Sequence, residues 1–472
     1  MARYDVCVIG AGPAGISLAL ELAQSGLETC LLESGGAAPD TSQQELNGGE
    51  YGNRLLREDI GHNRSRVFGG TTIMWTGYCA PLEEDVFPGH PEIPFSSWPI
   101  RKSDLDPFYQ RSEAYLDLPP GPFKRDFTEP ALVADQLQEY DLEWRQFKLS
   151  LPTRFLLKYL KPVQDNPGIE LFLNTTLKRL KRRNRRVEEA IVDREGVEES
   201  ISANAFVLAT GGIEATRNLL LFKEAEKPFF DDSLRSVGHF FATHPHFQSS
   251  RALLFDKLAE AKIIDQETDE KRPVAIQLTS EKRQREAMEP AIFRFLWKME
   301  PDGADGYRHD LLKHLRDRPH KFFRHVMLQS GMRLMRESRI TLSQKKDRLG
   351  QPFPKITLQV HPETWRVMDR SLHDVIRGLG ATGQGRIRFS ANFFRPEKHA
   401  DKGFSGGHHH LCSTRMAESE AEGAVDSNLR VFGTDNLYVS GASSFASTGS
   451  TNPTMTIVAL SLRLAAHLKS VL

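Results

Sequence analysis

The first 33 residues constrain this chain more tightly than any other segment. A short β-branched run, DVCVI (5–9), leads into Gly10-Ala11-Gly12-Pro13-Ala14-Gly15. A stretch of helical periodicity, ISLALELAQSG, comes next, and a second apolar run, ETCLLE, closes on Glu33. Strand, glycine turn, helix and strand with an acid at its end is the arrangement that binds a dinucleotide. The glycines permit a tight turn and let backbone approach a pyrophosphate, whose charge meets the helix N-terminus. Glu33 stands where a carboxylate accepts hydrogen bonds from ribose hydroxyls. The same pattern without a ligand would be a plain tight turn, but the full constellation favours the dinucleotide.

A chain of 472 residues exceeds one compact core, so two domains are expected. Residues 203–221, ANAFVLATGGIEATRNLLL, repeat the strand, glycine turn and helix and would return the chain to the first sheet, which makes the first domain discontinuous. Residues 169–180, IELFLNTTLKRL, read as a strand, and the basic run KRRNRRVEE after them as a solvated hairpin tip. RSRVFGGTTIMWTGYCAPLEEDVF (64–87) reads as a loop whose glycines and hydroxyls could meet something flat or anionic, although by its residues alone an ordinary buried turn is the preferred reading. A helix is expected after SSWPI, with Ser103 as its N-cap. Residues from about 250 to 390 differ in character, being rich in Arg, Lys and His, and read as a separate cap. Within them, 307–328 is expected to be a helix with a basic, solvated face. Its histidines (His309, His314, His320, His325) lack metal-ligand spacing, and no metal site is expected. Residues 339–360 read as a hairpin turning near Asp347 to Gly350.

Charge balances, with 62 Lys+Arg against 62 Asp+Glu, which argues against general nucleic-acid binding. The four cysteines (Cys7, Cys30, Cys79, Cys412) are too scattered for a disulfide framework or a metal site, and they suit a reducing compartment. The passage from MARYD directly into VCVIG shows no signal-peptide pattern, and no apolar run reaches a membrane span, so the cytoplasm is expected.

Several segments together resemble the glucose–methanol–choline (GMC) oxidoreductase family: GAGPAG with Glu33, FGGTTIMWTG, ATGG, VGHFFATHP (237–245), and VDSNLRVFGTDNLYVSGAS followed by NPTMTIVALSLRLA. The resemblance implies an α/β fold, with a Rossmann-type FAD-binding domain interleaved with an α+β cap that carries an antiparallel sheet. It divides the chain into FAD-binding parts at 1–95, 150–250 and 403–472, a connecting segment at 96–149 and the substrate cap at 251–402. It implies cofactor contacts at Gly10, Gly12, Pro13, Ala14, Gly15, Glu33, Ser34, Gly69, Gly70, Thr71, Met74, Trp75, Leu177, Ala209, Thr210, Gly211, Gly441, Ala442, Asn452, Pro453 and Thr454. Some members attach FAD through a histidine just before the loop tryptophan. Met74 precedes Trp75 here, so non-covalent FAD is expected.

The family's catalytic pattern is H-x-x-G-T-x-R-M, paired with a His or Asn at an N-P-T-x-T motif. Aligned on Arg415 and Met416, it selects His409 as general base and Asn452 as the donor that holds the substrate oxygen. Cys412 and Ser413 stand where the family usually has Gly-Thr. Imidazole is poised to accept a hydroxyl proton near neutral pH as hydride leaves for flavin N5. On an extended segment only one of two adjacent side chains faces a given side, so His408 and His410 are expected to be structural. Asn452-Pro453-Thr454 opens a helix, with Pro453 near its first position, whose N-terminal dipole would favour an anionic reduced flavin.

The implied activity is oxidation of an alcohol, with sugars, glycosides and related polyols as the first substrate class and O2, a quinone or a redox protein as electron acceptor. A non-sugar alcohol from a biosynthetic pathway is a second reading. A flavoprotein subunit of an electron-transfer complex, docked through the basic segment at 307–328, is a third. Neither a nucleic acid nor a transmembrane segment is expected.

Overall fold

The computed structural model describes residues 3–53, 55–56, 59–62, 64–123, 131–150, 153–226, 234–255, 263–264, 271–272, 274–296, 321–388 and 404–472. A seven-stranded sheet forms its foundation. Tyr4–Ile9 lies between Thr29–Leu32 and Val197–Leu208, parallel to both, and Ile169–Phe172 and Leu437–Val439 extend the parallel set on either side. The amino-terminal half of Val197–Leu208 turns antiparallel to Arg186–Arg194, which forms a hairpin with Thr175–Arg183. Val6, Cys7 and Val8 are fully buried. Burial on both faces explains why DVCVI is continuously apolar rather than alternating. The first helix, Pro13–Ala23, packs against the terminal helix, Thr454–Val471, which also contacts Asp106–Tyr115.

The second body is a six-stranded antiparallel sheet in the order Gly385–Arg388, His246–Phe255, Lys321–Ser330, Ala291–Leu296, Val274–Leu278, Leu142–Gln146. Alternation sends successive side chains to opposite faces. One face, with Ile276, Leu278, Phe293, Val326 and Leu328, packs with Val367, Leu372, Val375 and Leu379 of the helix Pro362–Ala381. Each such buried side chain stabilises by about 2 kcal/mol. The other face carries a single register row, Arg145, Ala275, Arg294 and Met327, with Ile292 and Gln329 alongside. Arg339–Lys346 and Pro352–Thr357 form the expected hairpin, closed by a bond from the Gly350 amide to the Asp347 carbonyl (3.0 Å) and extended by Glu50–Tyr51.

Three local expectations are corrected. Residues 321–328 are not helical, because Lys321–Ser330 is a strand paired on both sides. Clustered apolar residues there imitate helical spacing, and two flanking strands override the imitation. Residues 307–320, with His309, His314 and His320, lie outside the described residues. Ser103 is not an N-cap. A short 3₁₀ turn, Lys102–Asp104, precedes the helix, and the Arg101 amide donates to the Asp104 carboxylate (2.8 Å). The strand expected over 169–180 is two strands, broken at Asn174, whose φ is +52°. Asn tolerates that left-handed conformation better than most residues. Among the described residues no helix is long and apolar enough to cross a membrane.

Candidate active site

The glycine turn shows what each of its glycines does. A Cβ on Gly15 would lie 1.9 Å from the Gly10 carbonyl oxygen, and one on Gly10 would lie 2.6 Å from that of Ala209. These two positions are closed by backbone. A Cβ on Gly12 would meet nothing within 4 Å. Gly12 therefore fronts open space at the start of a helix that has no side-chain cap, which leaves its first N–H groups for an anion. Glu33 is buried and accepts from the Ala11 and Gly35 amides, each at 2.8 Å. Burial raises its carboxyl to about 7 against the pull of those two amides and of Arg66. Each carboxylate oxygen has a further lone pair for ribose hydroxyls. Open space at Gly12, an uncapped helix and this acid together fit a dinucleotide.

Other expected cofactor residues converge on the same turn. The Gly69 amide donates to Ala11 (2.7 Å), and a Cβ on Gly70 would sit 3.1 Å from the Gly12 Cα. Thr71 follows in the 3₁₀ turn Gly70–Ile73. Trp75 Nε1 donates to the Thr153 carbonyl (2.8 Å), while Met74 is 51% exposed. Ala209, Thr210 and Gly211 border Gly10, and Gly211 and Gly441 both front open space. Cys412 donates its amide to Ala442 (3.2 Å), so the histidine segment runs beside the Gly441 turn. Ser34 Oγ accepts from Arg66 (2.9 Å). Leu177 lies two residues beyond Thr175, whose amide donates to the Glu33 carbonyl (2.8 Å). Pro453 is the N-cap of the terminal helix rather than its first residue, and Thr454 opens a helix that again lacks a side-chain cap.

The three consecutive histidines differ in setting, and His408, at φ +60°, departs from the extended run expected of the segment. His410 stacks on Phe241 (centroids 6.3 Å apart), whereas His409 meets His244 and His246 edge-on (4.9 and 5.7 Å). Cys412 sits at φ +65°. This is a conformation glycine adopts freely and cysteine at a cost of about 1 kcal/mol, so the departure from the family's glycine leaves the turn in place under mild strain. Ser413 is anchored by a hydroxyl contact with Thr216 (2.7 Å).

His409 is fully tied into the fold. Its Nδ1 lies 2.8 Å from Nδ1 of the buried His244, whose Nε2 is 3.0 Å from the Thr448 carbonyl. A carbonyl only accepts, so His244 must carry its proton on Nε2 and present a bare Nδ1. His409 must then donate from Nδ1, which leaves its Nε2 as a proton acceptor. Burial lowers His244 to about 4. Burial, followed by the neighbouring His244, His246, Arg294 and His410, holds His409 well below the usual histidine range. Both rings are therefore neutral at pH 7.

Asn452 is half-buried, and its Oδ1 accepts from Arg294 Nη2 at 2.7 Å. A guanidinium only donates, so the amide is oriented with Nδ2 turned away from Arg294. Arg294 Nη2 also bonds Gln329 Oε1, and Gln329 Nε2 donates to the Ser450 carbonyl (2.6 Å). Ser450 Oγ donates to the buried Glu83 (2.5 Å). Burial raises the Glu83 carboxyl, but Arg145 and this hydroxyl outweigh it and hold it below the ordinary range. A continuous network thus joins His409 to Asn452 through His244, Thr448–Ser450, Gln329 and Arg294.

Sequence reading missed His244, Gln329 and Arg294. His244 stood in a quoted motif, ATHP, whose histidine could have been tested against His409. Arg294 and Gln329 lay in a region read only as polar.

Residues 335–461 match the family model for GMC oxidoreductase, and residues 5–49 match the model for FAD dependent oxidoreductase. The 6'''-hydroxyparomomycin C oxidase of Streptomyces lividus is 24% identical over 98% of this chain and 92% of its own length. The fructose dehydrogenase large subunit of Gluconobacter japonicus is 30% identical over a shorter stretch, 27% of this chain and 22% of that one. Among solved structures, pyridoxine 4-oxidase from Mesorbium loti superposes with a TM-score of 0.64 at 14% identity, covering 98% of this chain and 99% of that one. A formate oxidase gives a TM-score of 0.63 at 15% identity, covering 99% and 98%.

Proposed function

The chain belongs to the GMC family of FAD-dependent oxidoreductases, and from that premise we propose that it oxidises the CH–OH group of a small alcohol to a carbonyl, with His409 as general base and Asn452 as oxygen donor. The observation that carries this reading is the bare Nε2 of a neutral His409, set by the bonds to His244 and Thr448. Bound FAD supplies the acceptor for the hydride leaving the carbinol carbon. The protein supplies the rest. Nε2 of His409 takes the hydroxyl proton, and the oriented Nδ2 of Asn452 donates to the oxygen as it gains charge.

Gly10–Gly15, Glu33, Gly69–Thr71, Ala209–Gly211, Gly441–Ala442 and the helix start at Thr454 would hold the cofactor. No histidine precedes Trp75, so attachment there is non-covalent. The five-segment division belongs to the same proposal. The two sheets support it, except that His246–Phe255 straddles the boundary at 250. A sugar, glycoside or related polyol is the favoured substrate, in keeping with the full-length similarity to an enzyme named as an oxidase of a hydroxyparomomycin. A cytoplasmic location with reduced thiols completes the reading, as does reoxidation by O2, a quinone or a redox protein.

The test is anaerobic flavin reduction by a panel of neutral and carboxylated polyols, followed by His409→Gln on the best substrate. Loss of the base should slow reduction by roughly 10²- to 10⁴-fold with the bound-flavin spectrum unchanged. Equal rates in the two proteins would remove His409 from the role.

A further inference from the structure

Among the described residues Arg294 is buried without a counter-ion. Of the other buried arginines, Arg66 meets Glu214, Arg217 meets Glu214 and Asp347, and Arg283 meets Asp85, while Arg415 is satisfied by three backbone carbonyls, of Ala446, Glu422 and Phe95. Among the described residues Arg294 has only the neutral acceptors Gln329 and Asn452, both on Nη2. Its Nε is sealed from solvent with no acceptor, and Nη1 has none among the described residues. Its guanidinium lies over the rings of Tyr78 (4.8 Å) and Phe147 (5.4 Å). Burial lowers it to about 10, so it stays charged at neutral pH. A buried cation with unfilled donors is costly, and unlike Arg415 the Arg294 guanidinium has donors left over for an arriving anion.

We propose that Arg294, supported by Gln329, is the receptor for a carboxylate on the substrate, so that the alcohol oxidised at His409 is a hydroxy acid, most simply a polyol bearing a carboxylate; this rests on the alcohol-oxidation reading above. The site lies on the inward face of the six-stranded sheet, away from the pyrophosphate cradle at Gly12. A planar donor fork suits a carboxylate. The arrangement also resolves a conflict in the site. Proton transfer makes His409 cationic, and the charge of Arg294 opposes that. A seated carboxylate cancels the opposition, so the base gains strength only when substrate is present.

The test uses the FAD-loaded protein and acetate, with acetamide as the uncharged control, read by perturbation of the flavin absorbance. Acetate should bind saturably and acetamide should not. Arg294→Gln should weaken acetate by roughly tenfold or more, and Gln329→Leu by a smaller factor. Equal responses to acetate and acetamide overturn the receptor without any variant being needed. Undiminished acetate binding in Arg294→Gln overturns it too, as does a shift in flavin potential in that variant with no acetate effect in the wild type. The readout involves no alcohol. A panel in which no alcohol, charged or neutral, reduces the flavin therefore defeats the alcohol reading alone, while failed acetate binding defeats the receptor alone.

Discussion

At the scale of single residues, two fixed partners decide which atoms the proposed base and oxygen donor present. The Thr448 carbonyl sets the tautomer of His244 and through it that of His409, while the Arg294 guanidinium sets the amide of Asn452. Sequence alignment finds His409 and Asn452 because both sit in short local motifs. Their orienting partners come from residues 158 or more positions away, on other strands and loops. The depressed pKa of His244 has a consequence for stability. The unfolded chain takes up the proton near pH 6.5 and the folded protein only near about 4. Between these values the unfolded state binds more protons, so stability is complete above about 6.5 and drains away as pH falls through about 4. The loss is on the order of 3 kcal/mol. Chemical denaturation of the wild type and of His244→Leu across pH 4 to 8 checks this. The variant's curve should be flatter by a comparable amount, and parallel curves would refute the linkage.

Among the elements, the glycine turn shows how one motif divides its work. Gly15 lets helix and strand pack, and Gly12 leaves space for a ligand. Gly15→Ala should destabilise the fold by several kcal/mol, since its methyl would overlap the Gly10 carbonyl and force backbone to move. Gly12→Ala should leave the melting temperature of the cofactor-free protein within a degree or two, because its φ of −83° suits any residue, yet weaken FAD by roughly tenfold. Thermal melts with and without FAD distinguish the two variants, and a Gly12→Ala protein that binds FAD normally would show that the open space is not the cradle. The βαβ unit was legible because its periodicities switch within a few residues. Lys321–Ser330 was not legible, since its apolar residues match helical spacing and only the flanking strands His246–Phe255 and Ala291–Leu296 make it extended.

For the molecule as a whole, the helix Gly212–Ala225 and the hairpin of Arg339–Lys346 and Pro352–Thr357 are joined by buried charge as well as apolar packing. Arg217, on the helix Gly212–Ala225, reaches Asp347 at the turn of the hairpin (2.5 Å), and both side chains are 3% exposed. Asp347→Ala would leave that cation with Glu214 alone and also remove acceptors for the Leu349 and Gln351 amides. A loss of about 3 kcal/mol in urea denaturation is expected, and a loss below about 1 kcal/mol would mean the contact behaves like a surface pair. Residues 5–33 by themselves determined the parallel sheet and its dinucleotide turn, and the motifs around His409 and Asn452 supplied the proposed base and oxygen donor. Such signals lie within a few residues and depend on backbone conformation and local spacing. The tertiary structure alone decided which His409 nitrogen is bare, how Asn452 is turned, and that Arg294 lies beside them with no carboxylate among the described residues. Those outcomes depend on hydrogen-bond partners and burial that come together only when strands distant in sequence fold into one site.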